Sequence, residues 1–323
     1  MQLNLEELTS SKNLLAFSAG VDSTALFFLL KENNISFDIA IVNYNLREQS
    51  KQEVEYAKYL ANKFNKKIYL KEVNLSGSNF EKRARDIRYN FFEEIINKNN
   101  YNTLITAHQL NDKLEWFLMQ LSKGAGLSEL LGLQKIQNKS TYKIFRPILD
   151  ISKEELEGFL VENKIDYFVD KSNFEEKYKR NYFRHNFSNQ FLSEFKDGIK
   201  NSFEYLQEDL NSLNINFIEI FKEKELSIFE KVDDNNINIK VIDKHLKKIG
   251  ILISKAQREE IIKQKESVIS NKITVCLIDK YIWICPYIKE PMKKEFKEYC
   301  RKNKIPKLCR SYIYKENIKI DIF

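Results

Sequence analysis

The chain has 323 residues, of which 43% are hydrophobic, so it can bury a sizeable core and is not intrinsically disordered. Its first 15 residues are acidic and no apolar run reaches 18 residues, so we expect a cytoplasmic protein without a signal peptide or membrane contact. The net charge of +7 is uneven, because residues 288–323 carry 11 basic against 5 acidic side chains. This basic tail indicates a polyanionic partner, although a solvated basic face would have the same charge.

The predicted elements alternate between strands and helices along the first half of the chain. The predicted strands cover residues 13–18, 37–43, 67–73 and 103–107, and the predicted helices cover 22–32, 50–64, 80–97, 111–121 and 153–163. This alternation indicates βαβ units, and hence a parallel sheet covered by helices on both faces. Ligands of such sheets bind beyond the carboxyl ends of the strands, where the loops 18–24, 43–50 and 107–112 fall.

The second part of the chain has a less regular pattern. A helical pattern over 190–213 is followed by a polar stretch at 232–240 that predicts a turn, and by strands at 273–278 and 281–284. We therefore expect an α/β fold in two parts. A Rossmann-like part with the parallel sheet would span 1–205, and a helical linker with a small, basic α+β part would span 206–323.

The stretch SAGVDST at 18–24 joins the first strand to the first helix. A loop at this position presents free backbone N–H groups and the positive end of a helix dipole, which together bind anions. Gly20 permits a close approach of the backbone and a positive φ. Asp22 would repel a phosphate unless a metal ion lay between them, so we expect a nucleotide with Mg²⁺. The alternative is an ordinary helix N-terminus, capped by Ser18 or Asp22.

The loop resembles the SGGxDS pyrophosphate loop of the N-type ATP pyrophosphatases, with Ala19 at the second position. Four further stretches follow in the order found in the bacterial tRNA(Ile)-lysidine synthetases: VNYNLREQSKQE, NFEKRARDIRYNFF, TAHQLNDKLEWFLMQLSKGAGLSELLGL and RPILDISKEEL…DYFVDKSNFEEKYKRNYFRH. The chain is similar to that family over about residues 12–190, and beyond them only in length and in its basic, mixed α/β character. Family residues are replaced here by Ala19, Tyr44, Gln109, Trp116 and Lys123.

The resemblance implies a ligase that joins free L-lysine to the wobble cytidine of the isoleucine tRNA with a CAU anticodon. ATP would adenylate the base with Mg²⁺ present, and the lysine amine would then displace AMP to give lysidine. The resemblance makes residues 1–205 a PP-loop ATP pyrophosphatase catalytic domain, and residues 206–323 a helical linker with a basic tRNA-binding domain. The family pattern also allows either a monomer or a homodimer.

The same resemblance implies a role for individual residues. The residues expected to bind ATP are Ser18, Ala19, Gly20, Val21, Asp22, Ser23, Thr24, Arg47, Arg85 and Arg88, with Asp22 also contacting the metal ion. The residues expected to be catalytic are Asp22, Ser23, His108 and Asp112. The residues expected to bind lysine are Asp112, Glu115 and Arg180. The residues expected to bind tRNA are Lys177, Lys179, Arg180, Arg184, Lys293, Lys297 and Arg301.

Helical spacing supports some of these roles independently. Asp112 and Glu115 are three residues apart, so both carboxylates share a helix face and can hold an ammonium group. Arg85 and Arg88 have the same spacing and could clamp phosphates, or could instead pair with the carboxylates of their own helix. The three basic residues of the tail recur every four residues, which suits an RNA backbone.

Basic and aromatic side chains alternate between residues 171 and 184. The basic groups can reach phosphates, and rings such as Tyr182 and Phe183 can stack on the unpaired bases of an anticodon loop. A solvated, salt-bridged linker would have a similar composition.

Two other functions remain open at this point. A tRNA thiolation enzyme of the same superfamily commonly uses cysteines near the loop, but no cysteine precedes Cys276 in this chain. A non-catalytic RNA-binding protein on a decayed nucleotide fold is the second alternative. The residues retained at the site argue against it: Asp22, Ser23, His108, Asp112 and Glu115.

Overall fold

The computed structural model describes residues 3–45, 49–75, 80–169, 179–213 and 218–320, and the chain forms two compact units, Met1–Leu210 and Asn211–Phe323. The helices are α1 Glu6–Thr9, α2 Val21–Glu32, α3 Gln49–Lys63, α4 Phe80–Asn99, α5 Leu110–Leu121, α6 Leu127–Leu130, α7 Lys153–Glu162, α8 Lys179–Phe183, α9 Asn189–Ser212, α10 Asn235–Lys248, α11 Lys255–Gln264, α12 Lys294–Lys302 and α13 Arg310–Lys315. The strands are β1 Asn13–Ala16, β2 Phe37–Asn43, β3 Ile68–Glu72, β4 Thr103–Ile105, β5 Ile136–Asn138, β6 Lys143–Phe145, β7 Glu219–Glu223, β8 Leu226–Glu230, β9 Glu266–Ile269, β10 Ile273–Ile278 and β11 Tyr281–Pro286.

The first unit is built around one sheet whose strand order, within the described residues, is β3-β2-β1-β4-β6-β5. Neighbouring strands are parallel except for β5, which runs antiparallel to β6. The chain order reverses direction between β1 and β4, and a crevice opens at the carboxyl ends of the strands at such a point. The predicted α/β fold with a parallel sheet is therefore confirmed.

Successive residues of β1 point to opposite faces of the sheet, and helices pack against the side chains on each face. Leu15 packs in one apolar cluster with Leu26 of α2, while Leu14 packs in another with Phe92 and Ile96 of α4. Burying each of these side chains contributes about 1.5–3 kcal/mol. This packing fixes the N-terminus of α2 and the face of α4 at the same edge of the sheet, where the site forms.

The second unit contains an antiparallel sheet with the order β7-β8-β11-β10-β9 in the described part of the chain. All four cysteines of the chain lie in the apolar cluster on one side of this sheet, and all are free and buried. The Sγ atoms of Cys276 and Cys309 are 3.7 Å apart. Burial raises the pKa of Cys300 to about 11 and holds the pKa of Cys309 well above its usual range.

The structure corrects the turn predicted at residues 232–240, because α10 already begins at Asn235. The side chain of Asp234 caps this helix by accepting hydrogen bonds from the N–H groups of Asn236 and Ile237, at 2.7 and 3.3 Å. Ile239, one turn further on, is buried in the core of the second unit. A polar stretch therefore forms the first turn of a packed helix. The short strands β5 and β6 were also absent from the predicted elements.

Candidate active site

The loop between β1 and α2 takes its shape from Ala19. Ala19 has φ 59°, in the left-handed region, whereas Gly20 has φ −76° and ψ 172°. The positive φ expected at Gly20 therefore lies one residue earlier, at the position where the SGGxDS pattern has glycine. A left-handed conformation costs a residue with a Cβ about 1–2 kcal/mol, so the loop is held in this shape by its surroundings.

Hydroxyl groups hold the loop against the first turn of α2. Ser18 and Ser23 are joined through their Oγ atoms at 3.1 Å, and Ser23 Oγ also donates to the Gly20 carbonyl at 3.2 Å. Gly20 is the N-cap of α2 and no side chain caps the helix, so neither Ser18 nor Asp22 acts as a cap. The first N–H groups of α2 consequently remain available to an anion.

Asp22 in the first turn of α2 carries an unsatisfied carboxylate. Its Oδ1 atom is buried without a hydrogen-bond partner among the described residues. Burial, followed by the charge of Asp112, raises the pKa of Asp22 to about 7, and Lys153 and Arg184 oppose this only in part. A carboxylate in this state gains free energy from a cation that binds beside it.

His108 follows β4 and lies at the same edge of the sheet. Its Nδ1 atom is 3.0 Å from Thr106 Oγ1. Burial, with further contributions from Arg146, Arg180 and Arg85, lowers the pKa of His108 to about 4 although Asp112 opposes this. The imidazole is therefore neutral at neutral pH.

A cavity of about 550 Å³ joins these groups. The predicted site residues that line it are Ser18, Gly20, Val21, Asp22, Ser23, Arg85, Arg88, His108, Asp112, Arg180 and Arg184. Ala19, Thr24 and Glu115 are fully buried and do not line the cavity. Arg47 and Lys177 lie outside the described residues.

The two carboxylates of α5 are held by two arginines from the segment that begins with α8. Arg180 pairs with Asp112 and, through Nε, with Glu115 Oε2 at 2.8 Å. Arg184 Nε lies 2.6 Å from Glu115 Oε1, and Arg184 Nη2 lies 3.7 Å from Asp112 Oδ1. Two carboxylates and two guanidinium groups therefore form a cluster without net charge, which we call the carboxylate–arginine cluster.

Local capping orients the Asp112 carboxylate. Gln109 is the N-cap of α5 and accepts from the Asn111 N–H at 2.5 Å, while its own N–H donates to Asp112 Oδ2 at 3.1 Å. Burial alone would raise the pKa of Asp112, but Arg180, His108, Arg184 and this N–H together hold it below the usual value. Asp112 is therefore ionised, unlike Asp22, whose pKa lies near neutrality.

The α4 wall of the cavity carries Arg85 and Arg88. The Arg85 guanidinium lies 4.7 Å from the centre of the Tyr89 ring, and the Tyr44 hydroxyl donates to the Ala84 carbonyl at 2.7 Å. Neither arginine forms an ion pair with a described carboxylate, so both are available to phosphates. Their predicted spacing on one helix face thus brings them to the same cavity.

Some predicted tRNA-binding residues lie elsewhere. Lys179 is exposed at the start of α8, with Nζ 5.9 Å from the centre of the Phe183 ring. Lys293, Lys297 and Arg301 are exposed along α12 in the second unit.

Sequence reasoning missed three contributions to the site. Arg184 was expected to contact tRNA, but in the structure it pairs with Glu115 and is only 18% exposed. Its spacing of four from Arg180 was the signal, because such residues share a helix face. Lys153 at the start of α7 and Thr106 beside His108 line the cavity without having been predicted.

The described ranges contain neither a cluster of metal ligands nor a membrane-spanning helix. No group of three or more His, Cys, Asp or Glu side chains there has the arrangement of a metal site. None of the helices found there combines the length and apolar character needed to cross a membrane.

Comparison with known proteins identifies the family. Residues 1–191 match the PP-loop domain family ATP_bind_3. The tRNA(Ile)-lysidine synthase of Campylobacter jejuni strain RM1221 is 48% identical over 316 residues, covering 98% of this chain and 95% of that protein. That of Wolinella succinogenes is 40% identical and covers 98% of both chains. The similarity expected only over about residues 12–190 therefore extends along almost the whole chain.

Among solved structures, the U34-tRNA thiolase NcsA from Methanococcus maripaludis superposes with a TM-score of 0.53 at 16% identity, covering 63% of this chain and 74% of that one. This likeness shows the shared fold alone. The 40–48% sequence identity to the lysidine synthases, which extends over 98% of this chain, is the stronger relationship. The chain belongs to the tRNA(Ile)-lysidine synthase family of PP-loop proteins.

Proposed function

We propose that this protein joins free L-lysine to C2 of the wobble cytidine in the isoleucine tRNA with a CAU anticodon. In the first step the O2 atom of the cytosine attacks the α-phosphorus of ATP and pyrophosphate leaves. In the second step the lysine ε-amine attacks C2, the bond from C2 to the AMP oxygen breaks, and the amine loses a proton. The products are lysidine, AMP and pyrophosphate.

The observation that carries this proposal is that one cavity has two chemically different ends, one suited to phosphates and one suited to an amino acid. One end is an uncapped helix N-terminus beside Ser18 and Ser23, which suits phosphates. The other is the carboxylate–arginine cluster, which suits a zwitterionic amino acid, because lysine carries both an ammonium and a carboxylate. The family membership of the chain connects this pair of ends to lysidine synthesis.

At the phosphate end, the chain itself would position ATP and stabilise the departing pyrophosphate. The N–H groups at the start of α2 and the guanidinium groups of Arg85 and Arg88 are donors aimed at developing negative charge. If Thr106 Oγ1 donates to His108 Nδ1, the neutral ring carries its proton on Nε2 and can donate it to a phosphate oxygen. These groups align the α-phosphorus with the incoming base.

Asp22 fits a contact to Mg²⁺ that arrives with ATP. Its buried and unpartnered Oδ1 is a hard oxygen ligand of the kind that Mg²⁺ prefers. The described residues contain no cluster of three or more His, Cys, Asp or Glu ligands that could hold the ion without the nucleotide. The ion would neutralise phosphate charge when it is bound. The carboxylate of Asp22 would keep it at the first turn of α2.

At the amino-acid end, lysine would share the carboxylate–arginine cluster. Glu115 is fully buried and already has two guanidinium partners. The α-ammonium of lysine must therefore replace an arginine as the partner of an Asp112 or Glu115 oxygen. The released guanidinium is then free to bind the carboxylate of the same lysine. Burial in this site favours loss of the proton that the attacking amine must give up.

The tRNA would be held largely through its phosphates. Lys179 in the first unit and Lys293, Lys297 and Arg301 along α12 in the second are exposed cations that suit a sugar–phosphate backbone. The division of labour between a catalytic part over 1–205 and a tRNA-binding part over 206–323 belongs to the same proposal. The protein would act as a monomer or homodimer.

The decisive experiment measures incorporation of labelled lysine into an unmodified transcript of the CAU-anticodon isoleucine tRNA, with ATP and Mg²⁺. The initiator methionine tRNA, which has the same anticodon, is the control. We expect lysine in the isoleucine transcript alone, with one AMP released for each lysine attached. Folded protein that binds ATP without transferring lysine would contradict the proposal.

A sulfur-transferring activity has less support. The only cysteines of the chain lie buried in the second unit, and none lies in residues 1–275. A protein that binds RNA without catalysis is excluded if AMP is formed in the same assay.

A further inference from the structure

Four aromatic side chains form an exposed row beside the active site. Tyr182, Phe187, Phe191 and Phe195 are 46, 44, 47 and 52% exposed, although burial of such rings would stabilise the fold. We call this row the aromatic stripe. Exposed rings that lie together in pairs, as Tyr182 with Phe187 and Phe191 with Phe195 do, mark a site of interaction more often than single exposed side chains do.

A π-helical turn aligns the stripe. Residues Arg184–Ser188 form this turn between α8 and α9, and its wider winding lets residues five apart come together. The ring centres of Tyr182 and Phe187 are accordingly 5.8 Å apart. Phe191 and Phe195 follow at intervals of four, with their ring centres 5.3 Å apart.

The same segment faces the active site with its other side. Arg180 and Arg184 reach the carboxylates of α5, while Tyr182, two residues from each, points to solvent. Behind the stripe, Leu192 packs with Leu110 and Leu114 of α5, so one helical segment connects the site to the exposed rings.

The charge around the stripe favours a polyanion. Residues 179–193 contain no aspartate or glutamate, and Glu194 next to Phe195 is the first acidic residue of the segment. Arg180 and Arg184 are already paired with Asp112 and Glu115, so the exposed positive charge beside the rings is that of Lys179. Aromatic rings beside an exposed cation are the combination with which proteins bind single-stranded nucleic acid.

We propose that the aromatic stripe is the stacking platform for the unpaired anticodon-loop bases that flank the modified cytidine. The inference rests on the proposed function, since it takes the cytidine itself to enter the cavity. The neighbours of that base are then left outside, next to the segment whose inner side holds Arg180 and Arg184. Stacking on Tyr182 and Phe187 replaces the stacking that the loop bases lose when the cytidine leaves the loop.

The test uses the full-length protein and an anticodon stem-loop in which the adenine of CAU is replaced by 2-aminopurine. Fluorescence of this base is quenched when it stacks on an aromatic ring. The variants are Y182A/F187A, F187L and F187W, and Y205A is the matched control. Tyr205 also lies on α9 and is 65% exposed, but it is not part of the stripe. Binding of ATP is measured for every variant as a check on folding.

We expect the Kd for the stem-loop to rise about tenfold for each stacked base that is lost, with the quenching abolished in Y182A/F187A. The Kd for ATP and the behaviour of Y205A should be unchanged. F187W should retain binding and quenching, whereas F187L, which keeps apolar bulk without a ring, should not.

Two results would overturn the platform. One is a Kd and quenching in Y182A/F187A equal to those of the wild type. The other is a wild-type protein that self-associates through the stripe, shown by sedimentation as a dimer that Y182A/F187A converts to monomer with unchanged RNA binding. Failure of the proposed function would look different, because the stem-loop would bind and be quenched while no lysine was transferred to the full tRNA.

Discussion

The two ends of the cavity satisfy their carboxylates in opposite ways. At the α2 end, Asp22 has a buried oxygen without a partner and a pKa raised to about 7. At the α5 end, Asp112 and Glu115 are fully paired with two arginines, and the pKa of Asp112 is lowered. The two ends share one cavity, so the difference arises from the partners that the fold supplies.

This contrast shows how each end would accept a cation. The α2 end carries an electrostatic cost in the free protein that a bound cation removes, so binding there relieves strain on the fold. At the α5 end, the arginines already offset the cost of burying the two carboxylates. A cation entering the α5 end must exchange for an existing partner, which makes selectivity depend on geometry more than on charge.

The largest expected effect comes from removing a carboxylate of the paired end. Glu115→Ala leaves Arg180 and Arg184 with unmatched charge against a buried cavity, so we expect a loss of about 3–5 kcal/mol in the free energy of unfolding. Urea denaturation measures this. Glu55→Ala is the control, because the Glu55–Lys58 ion pair is exposed and its loss should cost under about 1 kcal/mol. Equal effects of both substitutions would break the contrast.

The next effect concerns activity at the unpaired end. Asp22→Asn removes the anionic ligand and should lower the rate of lysine transfer by about 10²–10³-fold, the range found when one transition-state contact is lost. AMP release in single turnovers measures it. A rate equal to that of the wild type would contradict the proposed metal contact.

The same variant should change stability in the opposite direction. The Asp22 pKa is raised from 3.8 to about 7 on folding, so the folded state binds more protons than the unfolded state between these values. Wild-type stability therefore falls as pH rises from about 4 to about 7, and Asp22→Asn lacks this term. In the absence of nucleotide, the variant should melt higher than the wild type at about pH 8, and the difference should narrow near pH 4. Coincident melting curves at both values would argue against the strained carboxylate.

A smaller effect is expected at the α4 wall. Arg88→Ala removes a charged donor proposed to contact phosphate, so the KM for ATP should rise about tenfold with the KM for lysine unchanged. Lys82→Ala on the same helix is the control, since Lys82 does not line the cavity. A rise confined to the KM for lysine would move Arg88 to the other end of the site.

The smallest effect is expected at Ala19. Ala19→Gly removes the conformational cost of about 1–2 kcal/mol that a residue with a Cβ bears in the left-handed region. The substitution also removes a fully buried methyl group and increases the conformational entropy of the unfolded chain. These terms offset, so the free energy of unfolding should change by less than about 1 kcal/mol. Thermal unfolding of the two proteins measures this, and a large stabilisation would mean that the loop is strained in the free protein.

Local signals in the sequence were sufficient for most of the first unit, although the short elements α1, α6, α8, β5 and β6 were not predicted. Apolar periodicity located β2 at Phe37–Asn43 to the residue, and it located each predicted helix of this unit within a few residues of its ends. The phosphate loop was also predictable, because a strand, a small-residue loop and a helix follow one another directly. The start of α10 was missed because its first turn is polar and is formed by the Asp234 cap.

The pairings within the site were not predictable from spacing. The spacing of Asp112 and Glu115 indicated a shared face, but it could not show that Arg184 would fill that face from 69 residues further along the chain. The conformation of Ala19 was equally hidden, because the preference for a left-handed residue is set by the packed loop and alanine gives no sign of it. Tertiary contacts decide both features.

The burial of every thiol in one unit has a practical consequence. Because Cys276, Cys285, Cys300 and Cys309 are all buried, the native protein should not react with thiol-specific reagents. A single cysteine introduced on the aromatic stripe would then be labelled selectively, without removal of any natural one. Conversely, the natural thiols would be labelled only when the second unit opens. Their rate of labelling therefore measures the unfolding of that unit alone.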